Sequence, residues 1–319
     1  MTEVVSYATT SHRDPRSRST LRRGGTISCD IARHGRSSGL KERRSMLNAV
    51  FKRGSIWTAL VLAVCGVADA APAAKPAEPE LYELDTAPQP APAAGSPLDR
   101  VLKSLQIRAC VRSDVAPFGA FTSGGLDGFD VALAREVADE ISVDYKQPLR
   151  IDWVVVPAAD RVKFVQDGAC DFEIAAFSHT AERATQVAES KVYLRTDKVV
   201  VSAARITRKE PIIGKVGGTT GGDVADLKGK PRSFSTYQEL IQAMDLDELD
   251  HIVVDRPIAE HLIRSSTRPF KISRVLTEGT ESYVVAVHTG HSDLLGAVNR
   301  ALGNIARSGR LALLHRRWL

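Results

Sequence analysis

The sequence predicts an α/β protein of two doubly wound lobes joined by a two-strand hinge. Three observations predict it. From residue 105 onward, short apolar runs with strand-like character are each followed by a segment of helical period. That alternation occurs twice, over 98–196 and again over 197–283. Two further apolar runs, 198–203 and 282–288, lie where the chain must cross to a second lobe and return, and 284–319 completes the first.

Residues 105–111 form the first expected strand, and 112–118 the loop at its carboxyl end, where open α/β sheets place a ligand crevice. Gly124, Gly125 and Gly128 make a turn into a helix over 131–141, with Val131, Ala134, Val137, Ala138 and Ile141 on one face. Asp130 is placed to cap that helix. Residues 149–156 alternate as a second strand, and a helix containing 161–165 ends at Gly168. In the second half, 212–216 is a strand, and Gly217-Gly218-Thr219-Thr220-Gly221-Gly222 turns into a helix from about 223. Residues 231–236 make a strand, 237–244 a helix, and 249–255 a buried strand ending on Asp255, in which His251 carries no chemistry. Residues 294–319 supply helices that close on the first lobe.

Chemistry is concentrated in the run from Cys170 to Ser190. Phe172, Ile174 and Ala176 alternate as a strand, and Ser178 or Thr180 then offers an oxygen to cap a helix. A strand end meeting a helix start gathers free N–H groups, the two hydroxyls and the Arg183 guanidinium around one point that suits a carboxylate. An ordinary capped helix with a surface arginine fits the same residues. The wider pattern, Gly168-x-x-Asp171 before the strand and Ser178-x-Thr180-x-x-Arg183 after it, resembles the amino-acid-binding family of bacterial extracellular solute-binding proteins. That family's motif reads Gly-x-x-Asp, four apolar residues, then Thr/Ser-x-Thr-Pro-Glu-Arg. Here Ala181 replaces the proline, and Glu189 replaces a common phenylalanine before Ser190. The resemblance runs from 105 to the C-terminus, Trp318 included, and implies a periplasmic-binding-protein-like type II fold.

The resemblance also implies roles. Arg183 forks onto the ligand α-carboxylate, Ser178 hydrogen-bonds it, and Thr180 and Ser190 belong to the same site. Thr220, beside Thr219, grips that carboxylate from the second lobe, and Asp255 accepts the ligand ammonium. Asp255 equally suits a cap for the helix at Pro257 or a partner for Arg256. The loop ending in Pro117-Phe118 supplies side-chain contacts. Arg112 matches glutamate/aspartate-binding members, which also share Asp171-Phe172-Glu173, and would pair a distal carboxylate; a solvated loop charge is the other reading. Phe118 or Phe121 would wall the ligand side chain, or simply belong to the core.

Charge excludes a nucleic-acid partner. The formal net charge is +5, but residues 1–70 hold 12 Lys and Arg against 5 Asp and Glu, leaving 31 against 33 beyond. Residues 46–70 read as a signal peptide, with Lys52 and Arg53 before the apolar run 56–67 and cleavage expected after Ala70. Residues 1–45 read as a misassigned upstream start or a disordered extension, and the Ala/Pro-rich 71–97 as a linker. Leu62-Ala63-Val64-Cys65 resembles a lipoprotein box, although valine before the cysteine argues against an anchor there. An exported chain with Cys110 and Cys170 invites a disulfide. Strand geometry argues against one, because three residues' rise along parallel neighbours sets them roughly 10 Å apart. No Cys/His spacing fits a metal site, and no cofactor is expected.

The leading functional expectation is a monomeric periplasmic solute-binding protein. It would capture a polar amino acid, with glutamate or aspartate foremost, and deliver it to the permease of an ABC importer. A cyclohexadienyl dehydratase-like enzyme on the same scaffold, with Glu173 or Glu189 as general acid, is the alternative. A receptor-coupled sensor is a third.

Overall fold

The structure, a computed structural model, describes residues 89–222 and 227–319. The expected signal peptide, the Cys65 box and most of the 71–97 linker lie outside them.

Helix α1 (Pro97–Ser104) starts at Ser96, whose hydroxyl accepts the Asp99 N–H at 3.2 Å. Strand β1 (Gln106–Val111) follows, then a small antiparallel meander of β2 (Asp114–Val115), β3 (Gly119–Thr122) and β4 (Gly125–Asp127). That meander occupies what the sequence presents as a loop. Its strands are too short for an alternating pattern to show. Helix α2 (Phe129–Tyr145) is longer than expected and also buries Phe129 and Leu133, each contributing roughly 1.5–3 kcal/mol by burial. It can start there because Gly128, at φ 143°, lets the chain pass Phe118: a Cβ at 128 would lie 2.2 Å from the Phe118 carbonyl oxygen.

Strand β5 (Arg150–Val155), helix α3 (Arg161–Gln166), β6 (Phe172–Glu173) and β7 (Ala188–Glu189) complete the outgoing part of the first lobe. The chain then crosses on β8 (Leu194–Ser202) to β9 (Ile212–Val216), β10 (Lys230–Phe234), α4 (Tyr237–Asp245), β11 (His251–Asp255) and α5 (Arg256–Ser265). It returns on β12 (Lys271–Tyr283) to β13 (Ala286–Val287), and ends in α6 (Ser292–Arg307) and α7 (Arg310–Trp318). The first sheet has the order β5-β1-β6-β13-β7, with β5, β1 and β6 parallel; the second is β10-β9-β11-β8-β12, with β10, β9 and β11 parallel. Helices α6 and α7 pack against α2, so the chain's end joins its first lobe, where Trp318 is half-buried against the core.

Two expectations are corrected. The helix expected after Ser178 is a single 3₁₀ turn, Arg183–Thr185, because backbone pairing wins: Ser178 bridges Tyr283, and His179 N–H donates to the Ser282 carbonyl at 2.8 Å. Cys110 and Cys170 are bonded, with Cα atoms 5.6 Å apart. The expected separation assumed that Cys170 extended β6 in line. Instead β6 holds two residues, and the Asp171 N–H and carboxylate fold back onto Arg108, turning Cys170 toward the α3 side, where it packs with Cys110 and Val165.

Candidate functional site

At the end of β6 the chain turns sharply through Ala176, a non-glycine residue at φ 48°. Two buried charges hold that turn from opposite sides. The Asp130 carboxylate accepts the Ala176 N–H at 2.6 Å and the Tyr193 hydroxyl at 3.0 Å. Arg161 donates Nη1 to the Ala175 and Ala176 carbonyls, both at 2.9 Å, and Nε to the Ala158 carbonyl at 3.0 Å. Asp130 is therefore a clamp between α2 and the turn, and the expected cap is not made. Burial pushes its carboxyl up to about 7 against those two hydrogen bonds. Glu173, 0% exposed, is likewise pushed up to about 7 by burial, with Arg161 Nε 3.9 Å from Oε1. Neither of its carboxylate oxygens has a hydrogen-bond partner among the described residues.

Beyond the turn, Phe177 leads to Ser178, Thr180 and Arg183. The Arg183 guanidinium lies 4.7 Å over the Phe177 ring and donates to the Ser178 carbonyl at 2.8 Å and the Gly218 carbonyl at 2.9 Å. The Thr180 hydroxyl accepts the Arg183 N–H at 3.1 Å. Gly218 belongs to the second lobe's glycine-rich turn, and Arg161 Nη2 reaches the same carbonyl at 2.8 Å. This approach needs glycine: at φ 72°, a Cβ on 218 would sit 2.5 Å from the Ala159 Cα. The crevice so formed is an open cleft of about 520 Å³, lined by Arg161, Phe177, Thr180, Arg183, Thr219 and Thr220 among others.

The hinge supplies the opposite charges. Glu281, at the end of β12, pairs with Lys198 of β8 at 2.7 Å, and Lys198 Nζ also donates to the Thr220 carbonyl at 2.7 Å. Burial would raise the Glu281 carboxyl, but Lys198 beside it, with the polar Ser178 and Thr220 nearby, holds it below its ordinary value. Asp255, at the carboxyl end of β11, accepts the Tyr283 hydroxyl. Burial first, and then the Glu281 charge, push Asp255 up to about 7. Arg183 and Asp255 thus both lie within the field of Glu281.

Thr180, Arg183, Thr219 and Thr220 line the cleft and Ser178 gives its carbonyl to Arg183 there, whereas Asp255 is buried against Tyr283 and is not among the lining residues. The alternative readings of Asp255 are not realised: it makes no side-chain cap bond to α5, and Arg256 pairs with Asp197 at 3.0 Å. Thr219 lines the cleft while its hydroxyl donates to the Val216 carbonyl at 2.7 Å, shaping the turn. Ser190 is not at the cleft. Its hydroxyl donates to the Lys191 carbonyl at 2.7 Å and accepts the Val285 N–H at 2.8 Å, tying β7 to the returning chain. Arg112, 1% exposed, is no solvated charge; it forks onto Asp114 at 2.9 and 2.7 Å and lies 5.2 Å over Tyr237 of the second lobe. Phe118 is core, 5.2 Å from the Tyr283 ring and 6.0 Å from Phe129, whereas Phe121 is 68% exposed on β3. His251 meets the Ser202 hydroxyl at 2.7 Å, and Glu189 pairs with His179.

Sequence reasoning misses Arg161, Lys198, Glu281 and Tyr283. Lys198 carries a usable signal, a lone cation opening the apolar run Val199-Val200-Val201. Arg161 and Glu281 carry none, because Gly218 and Lys198, which they reach, lie 57 and 83 positions away in segments brought together only by folding.

Comparison with known proteins agrees with this architecture. Residues 107–319 match the family model of bacterial extracellular solute-binding proteins, family 3. The ABC transporter glutamine-binding protein of Bacillus subtilis is 23% identical over 221 residues, 66% of this chain and 79% of that protein. A glutamate/aspartate import solute-binding protein of Salmonella typhimurium is 27% identical over 145 residues, 44% of this chain and 43% of that protein. Among solved structures, the solute receptor for L-cysteine of Neisseria gonorrhoeae aligns with a TM-score of 0.63 at 26% identity, covering 70% of this chain and 93% of that one.

Proposed function

The chain belongs to family 3 of the bacterial extracellular solute-binding proteins, and from that premise we propose that it captures a polar amino acid in the periplasm for the permease of an ABC importer, acting as a monomer. The observation that carries this reading is a cleft lined by the Arg183 guanidinium of the first lobe and by Thr219 and Thr220 of the second, with the Asp255 carboxylate buried at the end of β11. A zwitterion matches that pair: Arg183, Ser178 and Thr220 would take its carboxylate and Asp255 its ammonium. With the first lobe taken as 98–196 and 284–319 and the second as 197–283, each holds half of the contacts, so ligand stabilises closure and a transporter reads the closed shape.

The ligand side chain is proposed to be polar and uncharged. Arg112, the receptor expected for a distal carboxylate, is already forked onto Asp114. Binding is favoured over catalysis because Glu173 is sealed from the cleft and Glu189 is engaged by His179. A thermal-shift screen of the twenty amino acids, followed by calorimetry on the wild type and Arg183→Ala, tests the reading. Binding that Arg183→Ala weakens by about a hundredfold or more is expected for a charge-assisted fork. Unchanged affinity in Arg183→Ala, or turnover of prephenate to phenylpyruvate, overturns it.

A further inference from the structure

The turn Gly217-Gly218-Thr219-Thr220-Gly221-Gly222 brings the second lobe to the cleft with four glycines in six residues. Glycine has more backbone freedom to lose on ordering than any other residue, so a turn of this composition needs bonds to keep one shape. Two are local: the Thr219 hydroxyl donates to the Val216 carbonyl at 2.7 Å and accepts the Gly221 N–H at 3.4 Å. A third comes from the second sheet, where Lys198 of β8 donates Nζ to the Thr220 carbonyl at 2.7 Å. The Lys198 side chain is only 12% exposed, and Glu281, 8% exposed, pairs with it at 2.7 Å. Glu281 stands opposite Thr196 in the β8–β12 ladder, two residues from Lys198 and so on the same face. In the ladder on its other side Lys198 stands opposite Asp255. A buried ion pair is a poor source of stability, but it holds its members in one place. Lys198 and Glu281 are not among the residues lining the cleft, so any effect on a ligand passes through Thr219 and Thr220, which are.

We propose that Lys198 is a positioning residue for amino-acid capture: held by Glu281, it fixes the Thr219-Thr220 turn in the shape that receives the ligand carboxylate from the second lobe. The inference rests on the amino-acid site proposed above. Strand β8 lies in the second sheet between β11 and β12, and β9 of the same sheet leads into the turn. Lysine, carboxylate and turn therefore move as one body, and the pin does not depend on how the two lobes stand to each other. An incoming amino acid meets a turn already ordered, and the entropy of ordering it does not subtract from the affinity.

The test compares the full chain as wild type, Lys198→Met, Lys198→Arg and the charge-balanced double variant Lys198→Met/Glu281→Gln. Each is measured by calorimetry with L-glutamine and L-glutamate, and by hydrogen exchange without ligand. Lys198→Met and the double variant should each weaken binding roughly tenfold and speed exchange in 217–222 by a similar factor, with exchange in β1 unchanged. Lys198→Arg, which still donates to a carbonyl and a carboxylate, should recover most of the affinity. The double variant removes the buried Glu281 charge that the single one leaves unpaired, so a loss confined to the single variant overturns the proposal. Unchanged or tighter binding in both, or unchanged exchange in 217–222, overturns it as well. So does acceleration that extends to β1, which would mark a residue that only supports the fold. A wild type that binds neither amino acid counts against the amino-acid reading, and exchange in 217–222 then decides whether Lys198 holds the turn.

Discussion

Asp130 accepts the N–H of Ala176 at 2.6 Å across 46 positions of sequence, and so fixes a non-glycine residue in the left-handed region at the edge of the cleft. A left-handed residue with a Cβ costs roughly 1–2 kcal/mol, and the turn persists because Arg161 holds the adjoining carbonyls as well. Strain of this kind fixes the direction in which Phe177 and Ser178 leave the sheet.

Asp130→Ala should destabilise the fold by about 2–4 kcal/mol, because it leaves the Ala176 N–H and the Tyr193 hydroxyl buried without a partner. Ala176→Gly, which tolerates φ 48° without strain, should restore part of that loss in the double variant. Urea midpoints of the four proteins check this; strictly additive effects would show that the clamp and the strain are unrelated.

Asp114→Asn should release the Arg112 fork and raise affinity for glutamate relative to glutamine. The 2.9 and 2.7 Å contacts hold the guanidinium on an internal carboxylate, and loss of one charge-assisted pair is worth roughly 1.5–3 kcal/mol. Calorimetry with both amino acids is the measurement. Arg112→Ala should then remove the gained preference.

Asp255 stands at about 7, above its ordinary 3.8, chiefly through burial. Its contribution to stability is accordingly full below about pH 4 and is lost as pH rises through about 7, the unfolded chain binding fewer protons than the native one. Asp130 and Glu173, also near 7, act in the same direction. The melting temperature of the free protein should therefore rise as pH falls from 8 to 5. Ligand ammonium requires the ionised carboxylate, so affinity should fall over that same interval. Calorimetry at pH 7 in buffers of different ionisation enthalpy should register proton release on binding.

The Cys110–Cys170 bond closes a loop with a sequence separation of 60, for which chain entropy gives about 4 kcal/mol. Replacing both cysteines with serine should lower the unfolding free energy by about that amount. It should also loosen β1 against the segment that carries Glu173, visible as faster hydrogen exchange in 106–111 and 170–176.

The fold was legible because its signals are local. Apolar periodicity marks α2 and α6, and the β-branched run Val199-Val200-Val201 marks a crossing strand without reference to anything distant. The motif around Ser178, Thr180 and Arg183 likewise stood on one continuous stretch. What it did not reveal was the local backbone after Ser178. A helical turn and a pairing with Tyr283 competed there, and the second was decided by a strand more than 100 positions later.

By itself the sequence determined the order of elements, the two-lobed plan and the guanidinium at Arg183, because periodicity, turn residues and motif spacing act between neighbours. Tertiary structure alone decided which carboxylate meets which cation. Lys198 went to Glu281, and the Asp130 carboxylate to the Ala176 backbone N–H, whereas Arg112 found its carboxylate two residues on, at Asp114. The cysteine pairing was decided in the same way, by a bend that no strand count foresees. The physical reason is common to Lys198–Glu281, Ala176–Asp130 and the cysteines: their energies depend on distances of a few ångströms between segments far apart in the chain, and those distances exist only after the sheets have closed.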